Sequence, residues 1–339
     1  MYFNVYIEKE IFEEICLLDD YPNWKKIFSK NTQILLNMTE DDLDKELEDL
    51  ESPIFLFQDM NAAAVPPIAL DSQFEAMKDN TESLINHPRA AFIFDVEPEE
   101  AAELSKDLGV ALFSSKRLDD NYFKSGGLFR DLESGQIIEG GWKSLLSKEL
   151  PVSNALVISD NYLFKNEENN MNCGLGNLPK LLDAFLPQQL KTDYHITILA
   201  QNGGKGRSWW IKKFGALKAE ILQLRDYDIK LELAFTETIH KRRFLSNYMN
   251  GWADKGFSIF KNSNPDVVRD YNDIHLYRVF DNIDNIGDSY YQSASKGLKQ
   301  IREICDKLSD DIKKISENES AMIFGDCNKD KTIRNRLLS

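Results

Sequence analysis

The chain has 339 residues, 42% of them apolar and 29% charged, and a formal net charge of −15; this is long for one domain and of ordinary globular composition, with enough apolar residues for real cores. Its four cysteines, Cys16, Cys173, Cys305 and Cys327, show neither CxxC nor Cys/His ligand spacing, which argues against a disulfide scaffold, a structural zinc site and a thioredoxin-type redox pair. Apolar stretches break within about ten residues, too short to span a bilayer, and Met1–Glu10 carries acids where a secretory signal would carry basic and apolar residues; the expectation is a cytoplasmic protein with no metal and no cofactor.

The charge is unevenly spread. Residues 1–150 hold 31 acidic against 14 basic side chains, a balance of −17, while residues 151–339 hold 25 against 27, a balance of +2. Residues 200–262 alone carry 12 basic and 6 acidic side chains, +6. An acidic half joined to a locally basic one predicts two domains, with an anionic ligand on the second. The acids read either as a solvated surface or as an inhibitory partner of the basic region.

In chain order, Tyr2–Ile7 is an aromatic and β-branched run suited to a strand, and Lys9–Leu18 places Ile11, Phe12, Ile15 and Leu18 at helical spacing. Thr32–Leu36 reads as a strand, and Thr39 followed by Asp42 approaches a capping box for an acidic helix over Thr39–Leu50. Ile54–Gln58 and Ala91–Asp95 read as buried strands, with a Pro66–Pro67 loop between them. Pro98 opens a helix that Gly109 ends, and Val110–Phe113 returns as a strand. The alternation predicts an open, largely parallel sheet. Asp59 and Asp95 at strand ends suit either Mg²⁺ ligands of a nuclease or ordinary strand-finishing caps. Residues Lys124–Trp142 hold five glycines and read as a transition, with the boundary near Pro151.

In the second half, Ala155–Ser159 reads as a strand closing on Asp160, Asn166–Gly176 as a polar loop, and Leu178–Leu186 as a helix introduced by Pro179. His195–Ala200 is a strand, Asn202–Arg207 a glycine-rich loop, and Trp209–Arg225 a helix. A long strand is expected from Lys230 through Arg242, with Gly251–Phe260 as its antiparallel partner. A final helix from Ser289 to Glu317 carries Ala294, Leu298, Ile301, Cys305, Leu308, Ile312 and Ile315 at heptad spacing. That seam suits packing on the chain's own domain, or a homodimer through Ala294–Ile315. The expected organisation is thus an α/β domain over 1–150, a second α/β domain over 151–285, a heptad helix over 286–319 and a tail over 320–339.

One segment speaks about chemistry. On a continuous strand, Thr236, Thr238, His240, Arg242 and Phe244 share a face. An imidazole beside a guanidinium, with hydroxyls behind, suits a phosphate: the guanidinium offers a fixed fork of donors, and the imidazole donates or attacks phosphorus. A core histidine beside a surface arginine is the plainer reading of an isolated His-x-Arg.

The pattern His-x-Arg-x4-Asn, then Asn-Gly-Trp and Gly-x-x-x-Phe, is carried by His240, Arg242, Asn247, Asn250, Gly251, Trp252, Gly256 and Phe260. It resembles the phospholipase-D-like C-terminal domain of microtubule-interacting-and-trafficking (MIT) domain proteins, over residues 155–280; no MIT domain is visible in residues 1–150. The wider phospholipase D superfamily carries His-x-Lys-x4-Asp, usually twice, one histidine serving as nucleophile and the other as acid. Here Arg242 stands at the lysine position, Asn247 at the aspartate position, and the motif occurs once. The resemblance therefore implies a phospholipase-D-like α/β domain with a phosphate-binding surface, as in the phosphoinositide-binding MIT-associated family, and not a hydrolase.

Asn202-Gly-Gly-Lys205-Gly-Arg207 adds a second anion feature, since glycines before a helix let backbone N–H groups turn toward a ligand. It lacks P-loop spacing. Trp209 and Trp210 follow, one expected in the core and the other a base-stacking candidate beside Lys212 and Lys213. The candidate ligand-binding set is His240, Arg242, Asn247, Lys205, Arg207, Thr238 and Trp252. The first functional expectation is a non-catalytic module docking nucleic-acid backbone. The second is a dimeric phosphodiesterase, a nuclease, with two copies of His240. The third is a phosphoinositide membrane-surface module, placed behind nucleic acid because no exposed apolar helix with a basic rim is evident.

Overall fold

This computed structural model describes residues 2–30, 32–61, 64–124, 127–146, 150–165, 167–168, 171–238, 241–284, 290–314, 322–325 and 332–339. The chain divides into two compact units: Met1–Ser125 with Val279–Gln292, and Gly126–Arg278 with Ser293–Ser339.

The first unit runs β1 (Phe3–Glu8), α1 (Lys9–Leu17), α2 (Pro22–Phe28), β2 (Thr32–Asn37), α3 (Glu40–Glu48), α4 (Pro53–Met60), β3 (Ile68–Ala69), α5 (Asp71–Asp79), β4 (Ala90–Phe94), α6 (Pro98–Leu108) and β5 (Ala111–Ser114). Its sheet has the order β3-β2-β1-β4-β5, and every pair in it is parallel. That is the open parallel sheet the alternation predicts. Thr39 caps α3 by accepting from the Asp42 N–H at 3.2 Å, as the capping pattern suggests. One expected strand is a helix. Residues 54–58 lie in α4, because Ser52 caps its N-terminus, accepting from the Ile54 N–H, and Pro53 supplies a first position with φ already helical.

The second unit runs β6 (Leu128–Leu132), α7 (Gly141–Leu145), β7 (Ala155–Ser159), β8 (Glu167–Glu168), β9 (Met171–Asn172), α8 (Cys173–Phe185), β10 (Tyr194–Ala200), α9 (Arg207–Leu222), β11 (Ile229–Phe235), β12 (Arg243–Ser246), β13 (Met249–Ala253), β14 (Asn272–Arg278), α10 (Tyr290–Lys314) and β15 (Ile323–Gly325); the first three residues of α10 fall in the first unit. The eight-stranded sheet has the order β15-β11-β10-β7-β12-β13-β14-β6. Its β7, β10 and β11 are mutually parallel; all other pairings in it are antiparallel.

Period-two alternation splits the strands between two apolar layers. Leu156, Ile158, Ile196, Ile198, Leu231 and Leu233 face Leu178, Leu182, Trp210, Phe214 and Ile221 of α8 and α9. Ala155, Val157, Leu199, Ala234 and Leu245 face Ala294, Leu298, Ile301, Cys305 and Leu308 of α10. The heptad seam is thus buried on the chain's own sheet over residues 294–308, and that stretch offers no free apolar face to a second copy; the Ile312 side chain and Ile315 lie outside the described positions.

Three expectations about organisation need correction. The division falls at residue 125, not 150, because β6 pairs with β14 and Trp142 and Leu145 of α7 enter the second unit's core. The segment 279–292, expected in the second domain and the start of the heptad helix, belongs to the first unit. Residues 322–325 and 332–339, expected as part of a tail, are built in: β15 extends the sheet beside β11, and Leu337 and Leu338 join the layer under α10. Redrawn on these units, the charge asymmetry sharpens. The first unit holds 30 acidic against 11 basic side chains, −19, and the second holds 26 against 30, +4. No helix among the described residues is long and apolar enough to cross a membrane.

Candidate functional site at the carboxyl ends of the parallel strands

In an open α/β sheet, ligands gather outside the carboxyl ends of the parallel strands, where loops replace the ladder. In the second unit those ends are Ser159, Ala200 and Phe235. A cavity of about 330 Å³ opens there, lined by Lys165, Gln201, Asn202, Gly203, Gly204, Thr236 and Glu237.

The expected long strand through Arg242 is broken at this edge. β11 stops at Phe235 because the Thr236 hydroxyl accepts from the Thr238 N–H at 3.2 Å and lies 2.8 Å from the Thr238 hydroxyl, a side-chain turn that competes with the ladder. The chain re-enters the sheet as β12, on the far side of β10 and β7 from β11 and antiparallel to β7. Thr236, Thr238 and Arg242 therefore do not share a strand face. They flank the crossing between β11 and β12 instead. His240, the residue that drew attention to this segment, lies outside the described residues.

Arg242 is fixed by its neighbours. Its Nη1 donates to the Asp254 carbonyl, and its guanidinium lies 4.9 Å from the Tyr162 ring centre. Its Nε is 3.8 Å from Asp160 Oδ1, an ion-pair distance too long for a hydrogen bond, and this buried N–H has no acceptor among the described residues. Asp160 is almost fully buried just past β7. Burial pushes its carboxyl up from the usual range, against the lowering effect of the Phe257 and Tyr162 N–H groups and of Arg242. Those two amides donate to it at 2.8 and 2.9 Å. Gly256 is required beside it: its φ is +89°, and a Cβ there would sit 2.2 Å from Asp160 Oδ2.

Tyr162 joins the arginine to the cavity. The Lys165 ammonium lies 5.0 Å from the same ring, so two cations, one from the β7 end and one from the β12 start, meet on a single half-exposed tyrosine. Sequence reading missed both Tyr162 and Lys165. The available signal was their position directly after an apolar strand ending in Asp160.

The glycine-rich loop lines the same cavity and packs directly on the Phe164–Lys165 backbone. Gly203 and Gly204 both adopt left-handed backbone, φ +62° and +75°, with Asn202 Oδ1 accepting from the Gly204 N–H at 2.9 Å. The Phe164 carbonyl would stand 2.3 Å from a Cβ on Gly203, so the loop packs as close as glycine allows. The Trp210 indole N–H ties the loop down through the Asn202 carbonyl at 2.9 Å. Two residues further on, Gly206 caps α9 without a side chain, and the first turn holds no acid to compensate the positive end of the helix dipole.

The remaining candidates are elsewhere or otherwise engaged. Asn247 is sealed at the amino end of β7, accepting from the Asn154 and Ala155 N–H groups at 3.0 and 3.1 Å and donating to Asn154 Oδ1. Its place in the motif is therefore structural: it sits at the opposite end of β7 from Arg242, not in one surface with it. Trp252 stacks on His275 at 4.8 Å on the β13–β14 face. Arg207 turns to Phe324, 5.7 Å away, and Lys205 to half-buried Trp209, 6.0 Å away, where Lys213 also lies at 5.6 Å. Trp210 is the core member of the tryptophan pair. Asp59 falls inside α4, so it and Asp95 do not form paired strand ends, and no group of three His, Cys, Asp or Glu among the described residues could hold a metal ion.

Compared with known proteins, the chain matches no family model and no curated protein.

Proposed function

We propose that the second unit binds a phosphate-bearing ligand in the crevice at the carboxyl ends of β10 and β11, with nucleic acid as the ligand class and without turnover. The observation that carries this reading is the pairing of Lys165 and Arg242 on the Tyr162 ring beside a cavity walled by Gly203 and Gly204. Cations and a glycine-rich loop leading to an uncapped helix start are the groups a phosphate needs. The basic surplus of residues 200–262 favours a polyanion as its carrier. Binding without chemistry is preferred because, among the described residues, the cavity lining offers donors and a single carboxylate, Glu237, but no acid–base pair. The phospholipase-D-like resemblance points the same way through Arg242, although Asn247 contributes to folding and not to the ligand.

The test is titration of the full chain with a single-stranded oligonucleotide at low and at physiological salt. Binding should be measurable at low salt and weaken steeply as salt rises, because neutralised phosphates release counterions. Arg242→Ala, which removes a charge-assisted contact, should weaken it by roughly tenfold or more. Binding that is absent, or insensitive to both salt and Arg242→Ala, rejects the proposal.

A further inference from the structure

The polar groups around the crevice are unequal in a way that a running nucleic-acid backbone does not explain. Lys165 is the one cation among the described lining residues, with Arg242 across the Tyr162 ring, while Glu237 places a carboxylate in the same lining. Gln201, Asn202 and Thr236 supply neutral amide and hydroxyl groups. A continuous strand brings a negative charge with every nucleotide and would set one of them against Glu237. A volume of about 330 Å³ is at the small end of ligand cavities and suits one compact ring with its substituent.

We infer that the crevice selects a phosphomonoester carried on a neutral, hydroxyl-bearing ring, the phosphate toward Lys165 and Arg242 and the ring hydroxyls toward Glu237, Gln201 and Asn202. This rests on the phosphate reading above and narrows it: in a nucleic acid the recognised group is a phosphorylated end, not an internal linkage. A monoester carries about −1.5 to −2 charge near neutral pH and offers three terminal oxygens, against one charge and two such oxygens for a diester. Lys165 in the lining, with Arg242 on the neighbouring Tyr162 ring, matches the former. Glu237 in the same lining accepts from hydroxyls and repels any second phosphate.

The experiment is calorimetric titration of the full chain with four probes: inorganic phosphate, a nucleoside 5′-monophosphate, a dinucleoside monophosphate lacking terminal phosphate, and vesicles with or without a phosphorylated inositol lipid. The nucleoside monophosphate should bind at least tenfold more tightly than the internal diester and more tightly than phosphate alone. The preference should grow as pH rises through the second phosphate ionisation, near about 6. Glu237→Gln should raise affinity for the diester and shrink the discrimination severalfold. Vesicle binding that depends on the phosphorylated inositol assigns the same chemistry to a lipid headgroup; its absence, with nucleotide binding intact, assigns it to a soluble ligand or a nucleic-acid end. A diester that binds as tightly as the monoester overturns the inference while leaving the phosphate site standing. No binding of any phosphate probe overturns both.

Discussion

The two units use the same architectural device and fill it oppositely. Each has parallel strands whose carboxyl ends feed the starts of helices, the arrangement that makes an anion site in an α/β sheet. In the first unit the helices entered from β1, β2 and β4 all carry acids in their first turn: Glu10 in α1, Glu40, Asp41 and Asp42 in α3, and Glu99 and Glu100 in α6. Lysines close the edge further, Lys78 on Glu8 at 2.8 Å and Lys116 on Glu97 at 2.6 Å. The unit's own carboxylates thus stand where an external anion would bind. In the second unit the helix entered from β10 has a glycine at its cap, no acid in its first turn, and a cavity in front of the loop that leads to it. The charges of −19 and +4 follow the same division. The lesson is that fold alone does not make a phosphate site; it is made by what the sequence leaves unfilled at the strand ends.

The largest effect should come from reversing a lysine at each edge. Lys165→Glu removes a cavity cation and adds a repelling charge, so phosphate-probe binding should fall by roughly 100-fold, more than the loss of one charge-assisted bond alone. Lys116→Glu in the first unit, whose lysine is spent on Asp95 and Glu97, should leave that binding unchanged. Equal loss in both variants, with the protein still folded by circular dichroism, would mean that binding tracks overall charge and not the crevice.

How far this contrast could be read from residues alone differs by element. Local signals that compete with nothing were legible: the Thr39 cap, Pro98 and Gly109 around α6, and the strand ending at Asp160 all appear where their chemistry puts them. Apolar runs without such signals were ambiguous. Residues 54–58 have no period that separates a buried strand from a helix, and Ser52-Pro53 decides it. The Thr236–Thr238 turn was hidden inside a run that otherwise reads as extended, because a hydroxyl bonding its own backbone leaves no trace in hydrophobicity. Asn247 matched a motif but answers to folding, since two buried N–H groups at the start of β7 need an acceptor. Lys165 and Tyr162 were missed because a cation–ring–cation contact joins residues about eighty positions apart, and spacing carries no record of it.

A smaller effect should follow from giving α9 the kind of carboxylate the first unit uses. Gly206 sits in extended backbone at the helix cap, and a Cβ there meets nothing within 4 Å. Gly206→Asp should therefore fold normally and stabilise the helix start by a few tenths of a kcal/mol to about 1 kcal/mol. Its carboxylate should weaken phosphate binding by about five- to tenfold, by neutralising the dipole that favours an anion. Thr39→Ala is the counterpart in the first unit: it removes an existing cap and should cost about 1 kcal/mol of stability with no effect on binding. If Gly206→Asp leaves binding untouched, the start of α9 plays no part in the site.

The smallest effect concerns pH and one histidine in each unit. Burial lowers the His87 imidazole below its ordinary range, its Nδ1 held 3.0 Å from the Tyr6 hydroxyl. Burial, then the Arg336 guanidinium, also lowers His195, against the opposing pull of Asp193 at 3.1 Å. A base with a lowered folded pKa stays neutral in the native state while the unfolded chain takes up a proton first. Its contribution is therefore fully present above the unfolded value of about 6.5 and is lost as pH falls through the folded value. Thermal unfolding at about pH 7.5 and about pH 5.5 should show lower stability at the acid end. His87→Gln and His195→Gln should each reduce that acid sensitivity. His87→Gln should do so more, because no carboxylate among the described residues acts on His87 to favour its charged form, whereas Asp193 already offsets part of the penalty at His195. A wild type that gains stability on acidification over this range, or variants that keep its full acid sensitivity, would show that neither imidazole is held neutral by the fold.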